Sequence, residues 1–278
     1  MPILFKELKN ATRNFRPDSI LGEGSFELEW KWYSRVQAMR EVNYLSHFLH
    51  PNVIELIAYC TEGDNLLRIM EFLADKFWVI ASKTNFEDHN FKCPGTMDLL
   101  LRSLVKAAVD TARGLSFLHN AKNQVIHRNV KSANILLNEE FNFKLGGFGL
   151  ARDGPPDDRS HVTTRVVGTQ GYSAPEYIAT GHLTEKCDVY AFGVVMLELL
   201  SGRRALDTSS DKHRNLVYWA RPYLSKKENV YRVVDKKLDG KHLQEGAVIF
   251  SNLALQCVSH NPKSRPSMAE VLATLERL

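Results

Sequence analysis

The stretch His127-Arg128-Asn129-Val130-Lys131-Ser132-Ala133-Asn134 gathers an imidazole, a guanidinium, an ammonium and two carboxamides in a short run. Cations of this kind can hold a phosphate, a guanidinium bidentately. The run holds no carboxylate, and the carboxamide of Asn129 cannot accept a proton as a general base would. Downstream lie Lys144-Leu145-Gly146-Gly147-Phe148-Gly149-Leu150-Ala151 and then Ala174-Pro175-Glu176. Near the start, Leu21-Gly22-Glu23-Gly24-Ser25-Phe26 contains a Gly-x-Gly, which by itself reads equally well as a plain turn between strands. The four cysteines (Cys60, Cys93, Cys187, Cys257) form no Cys-x-x-Cys pair. Neither a disulfide framework nor a zinc site is expected from them, and a reducing compartment is.

These groups need a scaffold, and the rest of the chain supplies one. It has 278 residues, 44% hydrophobic and 24% charged, an ordinary globular balance. A net charge of only +4 does not point to nucleic acid or an anionic membrane as the main partner. No apolar run reaches the roughly 18 residues of a membrane span. Met1-Pro2 begins no signal peptide, and Pro2 stands where N-myristoylation needs glycine. A soluble, cytoplasmic protein without a direct membrane anchor is expected.

The pattern changes near residue 73. Before it, Val36, Met39, Val42 and Leu45 predict a helix over about Arg35–Leu49, ended by His50-Pro51. Strand-like runs follow at Ile54–Cys60 and Leu66–Phe72. After residue 73 helices dominate: Asp98–His119 is amphipathic, and Glu185–Leu200 is apolar on nearly every side, as a central helix must be. Gly202 is placed to end the latter, and Ser267 with Glu270 forms a capping box. Asp75–Pro94 and Gly146–Pro175 read as loops, and a loop as long as the second is more often functional than not.

Together and in this order, the three motif runs resemble the catalytic loop, magnesium loop and end of the activation segment of protein kinases. The flanking text "ELKNATRNFRPDSILGEGSF", "EVNYLSHFLHPNVIELIAYC" and "TGHLTEKCDVYAFGVVMLELLSGRRALD" is similar to plant receptor-like cytoplasmic kinases of the Pelle-related branch. The resemblance covers nearly the whole chain. It implies an α+β, two-lobed protein kinase fold over residues 1–278, with a shortened strand-rich N-lobe (1–73) and a mainly helical C-lobe (74–278).

Phosphoryl transfer in such a fold uses a glycine-rich cover, a lysine held by a helix glutamate, a magnesium-binding aspartate and asparagine, and a catalytic aspartate. By this alignment Asn129 stands at the base position and Gly147 at the metal position. Glu27 replaces the third glycine of the cover, and Glu29 faces the adenine. The strand that would carry the lysine has no room between Gly24 and the helix glutamate, Glu41. Lys31 reads as a solvated strand residue, with a substitute phosphate ligand as the alternative. Leu21, Gly22, Gly24, Lys31, Lys131 and Asn134 remain as residual nucleotide-binding candidates. Lys131 reads equally as a buttress of its loop.

The same alignment places structural roles on other residues. Leu45, Leu56, His127 and Phe148 form the apolar column between the lobes. Glu176 and Arg265 make an ion pair, and Asp188 holds the catalytic-loop backbone. Glu41, lacking its lysine, is expected to be an ordinary helix-face carboxylate. Arg128 could receive a phosphorylated activation loop, with Ser160, Thr163, Thr164 and Thr169 as candidate phosphosites. The expectation that follows is a catalytically inactive homologue with no cofactor, ATP and magnesium binding being weak or absent, and no metal. It would serve as adaptor, decoy or allosteric partner to other protein kinases or receptor complexes, in the cytoplasm or recruited to the plasma membrane through a partner. A weak serine/threonine kinase or a nucleotide-binding switch using ATP is the alternative.

Overall fold

The computed structural model describes residues 1–14, 31–62, 67–71, 75–76, 96–138, 140–156, 159–207, 215–238 and 244–278. In chain order the helices are α1 (Phe5–Ala11), α2 (Lys31–Leu45), α3 (Thr96–His119), α4 (Pro175–Thr180), α5 (Glu185–Ser201), α6 (Leu216–Leu224), α7 (Gln244–Cys257) and α8 (Met268–Leu275). The strands are β1 (Leu56–Cys60), β2 (Leu67–Met70), β3 (Asp75–Lys76), β4 (Val125–Ile126), β5 (Ile135–Leu137), β6 (Phe143–Leu145), β7 (Arg152–Asp153), β8 (Val162–Thr163) and β9 (His182–Leu183). This is a two-lobed α+β arrangement.

Helix α5 is the axis of the helical lobe. From Cys187 to Ser201 every residue is buried. Thr184 caps its first turn by accepting the Lys186 amide at 3.2 Å, and Gly202 ends it at φ 65°, where a side chain would be strained. Helices α3 and α7 pack against it, and α8 packs on α3. The Ser267–Glu270 capping box opens α8 as expected.

Antiparallel β1 and β2 pair with an irregularity between Leu56 and Ala58, and β3 pairs with β5, which pairs with β6. The two lobes are stitched through the backbone. The Ile54 amide donates to the Leu145 carbonyl at 3.0 Å, and the Leu145 amide returns to Asn52 at 2.9 Å. The Asn52 side chain also donates to Phe143 at 3.0 Å. Gly114 on α3 is needed for this crossing, because a Cβ there would lie 2.7 Å from the Asn52 carbonyl oxygen.

Helix α2 departs from its expected bounds and face. It runs from Lys31 to Leu45, so Lys31 opens a helix and does not lie in a strand. It ends well before Pro51, because Ser46 Oγ and the His47 ring both hydrogen-bond the Asn43 carbonyl, at 3.1 and 2.7 Å. Of the expected apolar stripe, Val42 and Leu45 are buried, whereas Val36 and Met39 are exposed. Gln37 and Glu41 are buried instead. The face turned inward mixes Ala38, Val42 and Leu45 with the polar Gln37 and Glu41.

Candidate active site

Asp188, near the start of α5, organises the catalytic loop. Its carboxylate accepts the His127 amide at 2.7 Å, the Arg128 amide at 2.8 Å and His119 Nε2 at 2.9 Å. Burial pushes this carboxyl up, but the hydrogen bond and charge of His119 and the His127 amide outweigh it, and the net pKa lies below the ordinary value. The two captured amides flank a backbone kink, for Arg128 sits at φ 64°.

His127 is fully buried, and burial lowers its pKa to about 4. The ring is therefore neutral, which its contacts require. Nε2 donates to the Gly146 carbonyl at 3.1 Å, while Nδ1 accepts the Asn129 amide at 3.3 Å. The ring meets Phe148 edge-on at 4.7 Å between centroids. Leu45 and Leu56 are buried as well.

At the loop's far end Asn134 donates Nδ2 to the Asn129 carbonyl at 2.7 Å, and its own carbonyl accepts the Gly146 amide at 2.8 Å. Lys131 enters the Ser132–Asn134 turn in extended backbone. Asn129 is half-buried; its Nδ2 lies 3.4 Å from the Gly147 carbonyl, and its Oδ1 lies 3.5 Å from the Thr169 hydroxyl. Gly147 adopts φ 80°, and a Cβ there would meet the Asn134 side chain at 2.6 Å.

Helix α2 docks on the segment that follows. Arg40 donates to the Gly149 carbonyl at 3.3 Å, Glu41 Oε1 accepts the Phe148 amide at 2.9 Å, and Tyr44 donates to Asp153 at 2.9 Å. Gln37 packs so closely that a Cβ on Gly149 would stand 3.0 Å from its own Cβ. Residues 37, 40, 41 and 44 share one helix face. Glu41 is not the idle carboxylate expected. Its second oxygen pairs with Arg68 of β2. Sequence reasoning missed Arg68; a lone charged residue in a strand pattern carries no signal that it turns inward.

The activation segment is tied to the same loop. Arg128 donates to the carbonyls of Leu150 and Arg165, at 3.3 and 3.2 Å, and to the Tyr177 hydroxyl at 2.9 Å. Arg152 donates to the Thr164 hydroxyl at 2.8 Å. Ser160 and Thr163 are exposed, and Thr164 and Thr169 half-buried. Glu176 accepts both arms of Arg265, at 2.6 and 2.7 Å, and the Arg265 side chain is fully buried.

Leu21, Gly22, Gly24, Glu27 and Glu29 lie outside the described residues, and so does any account of the cover over the phosphates. For magnesium, Asn134 is the side chain that fits: with Nδ2 committed to Asn129, Oδ1 is left to face a cation. Gly147 adds no side-chain ligand. Among the described residues no cluster of three or more His, Cys, Asp or Glu could hold a metal alone. A magnesium ion here would draw most of its ligands from nucleotide phosphates and water, as this ion commonly does.

Residues 27–275 match the protein kinase domain. The chain is 46% identical to the probable serine/threonine-protein kinases PBL3 and PBL2 of Arabidopsis thaliana, over 99% of its length and 69% of theirs. It is 44% identical to the serine/threonine-protein kinase BIK1 of the same plant, over 99% of its length and 75% of that protein's. These alignments run 303 and 304 residues against a chain of 278, so the relatives carry length that this chain lacks.

Two expectations are corrected by this finding. The reading of the chain as no enzyme is overturned, since its relatives across nearly the whole chain are named as kinases. The reading of no cofactor falls with it, because protein kinases take the transferred phosphoryl from ATP with magnesium. Both had been inferred position by position from Asn129, Gly147 and the absent lysine. That inference overlooked how much of phosphoryl transfer is positioning shared among many groups. Among the described residues no helix is long and apolar enough to cross a membrane.

Proposed function

The chain belongs to the protein kinase family, and on that footing we propose that it is a slow, ATP-using serine/threonine protein kinase of plant receptor-kinase signalling. The observation that carries this reading is the docked state of helix α2, with Glu41 on the Phe148 amide while Asp188 holds the catalytic loop beneath. Phosphoryl transfer passes through a loose transition state that leaves the protein little covalent chemistry, so a pre-set loop supplies most of what is needed. Asn129 does not remove the substrate proton. Its Oδ1 accepts a hydroxyl hydrogen bond, the contact Thr169 approaches at 3.5 Å, and so orients the attacking oxygen. Losing the base lowers the rate by roughly 10²–10⁴-fold, which slows turnover without abolishing it.

Lys131 and Asn134 are the nucleotide-facing residues in this reading, with Leu21, Gly22, Gly24 and Lys31 as further candidates. Ser160, Thr163, Thr164 and Thr169 are candidate phosphosites for an upstream kinase, with Arg128 as the receiving guanidinium. The partners are other protein kinases or receptor complexes, met in the cytoplasm or at the plasma membrane through a partner. The test is a phosphotransfer assay with labelled ATP, magnesium and a generic basic protein. Incorporation well above that of a Lys131→Met, Asn134→Ala double variant is expected. Equal incorporation by the two would overturn the reading.

A further inference from the structure

Glu41 is 7% exposed and has two jobs for its two oxygens. One accepts the Phe148 amide at 2.9 Å; the other meets the Arg68 guanidinium. A buried carboxylate without a cation is strongly disfavoured, and it relieves the penalty by taking a proton or by moving to water. Either response weakens the hold on Phe148, whose amide belongs to the segment that begins at Gly147. Arg68 is thus linked to the docking of α2 through Glu41.

The placement is specific. Arg68 lies on β2 opposite Tyr59 of β1, beside the register irregularity between Leu56 and Ala58. Its side chain is 31% exposed, and its head reaches Glu41 of α2. Arginine suits this position because its planar head stays charged and can bridge to a carboxylate from an adjacent strand. We propose that Arg68 is the positioning residue of this kinase: from a different strand, it does for Glu41 what the absent lysine would have done. The proposal deepens the kinase reading and rests on it for its catalytic consequence.

The test compares wild type with Arg68→Met and Arg68→Lys. Two readouts are followed on the full chain: hydrogen exchange at the Phe148 amide, and the kcat and KM of phosphotransfer. Arg68→Met should speed Phe148 exchange at least tenfold while amides of α5 keep their protection. Its kcat should fall at least tenfold, with the KM for the protein substrate changed less than twofold. Arg68→Lys should recover most of both. Unchanged exchange and rate in Arg68→Met would overturn the proposal. Should that variant fail to fold, Arg68→Lys against Arg68→Gln decides in the same way: protection restored by lysine alone supports the role, and equal protection overturns it. If wild type transfers no phosphate, the kinase reading fails, while the exchange measurement still decides the role of Arg68.

Discussion

The floor of the site and its roof are held by different means. Beneath, Asp188 gathers two backbone amides and an imidazole inside the protein, and Arg265 and Glu176 pair bidentately with Arg265 fully buried. These anchors overlap, so the floor is over-determined. Above, α2 is held by the buried Val42 and Leu45, one ion pair and a few single hydrogen bonds along residues 37–44. A set with so few spare contacts opens at a lower free energy than a buried core. The contrast places stability in the lower lobe and adjustability in the upper one.

The contrast is broken most severely at Asp188. Asp188→Ala leaves His119 and two inward amides without their acceptor, and should lower unfolding stability by about 3–5 kcal/mol. Urea titration measures it; a loss under about 1 kcal/mol would mean that the floor is not organised by this carboxylate.

A second effect of similar origin is expected from acid. His127 titrates near 4 in the folded protein, against about 6.5 when unfolded. Below pH 6.5 the unfolded chain binds a proton there that the folded chain refuses. Stability from this group is thus full above pH 6.5 and is lost as pH falls toward 4, by about 3 kcal/mol in all. Urea titrations at pH 7, 6 and 5 should follow that slope, and His127→Asn should flatten it. An equal slope in the variant would assign the acid sensitivity elsewhere.

The smallest effect sharpens the seam between the two regions. Gly147→Asp places a Cβ against the Asn134 side chain, so the bond from Asn134 to the Asn129 carbonyl must yield. Aspartate tolerates positive φ better than most residues, and the expected loss is about 1–2 kcal/mol. In an Asn134→Ala background the loss should shrink by more than half. Equal losses in both backgrounds would show that the two sites do not meet.

How much of this was readable in advance follows the same division. Helix α5 was legible because a helix apolar on all sides leaves no choice of face, and Gly202 and Ser267 announced their caps by residue type. His127, Phe148, Asp188, Glu176 and Arg265 were found through their motifs, and all of them lie in the tightly held part. Helix α2 was misread in part because Gln37 and Glu41 are buried beside Val42 and Leu45. An apolar-stripe reading therefore chose Val36 and Met39, which are exposed. Arg68 escaped for a related reason: its importance lies in a partner distant in sequence, which periodicity does not encode. Reading catalytic competence from single motif positions failed similarly, since relatives named as kinases stand close across the whole chain.

The four stations along α2 have a consequence for signalling. One residue of helix rotation is about 100°. A turn that small would carry Gln37, Arg40, Glu41 and Tyr44 off Gly149, Phe148 and Asp153 together. All four contacts therefore depend on one setting of the helix, which joins its outer side, where Val36 and Met39 face solvent, to Asp153, some 110 residues along the chain.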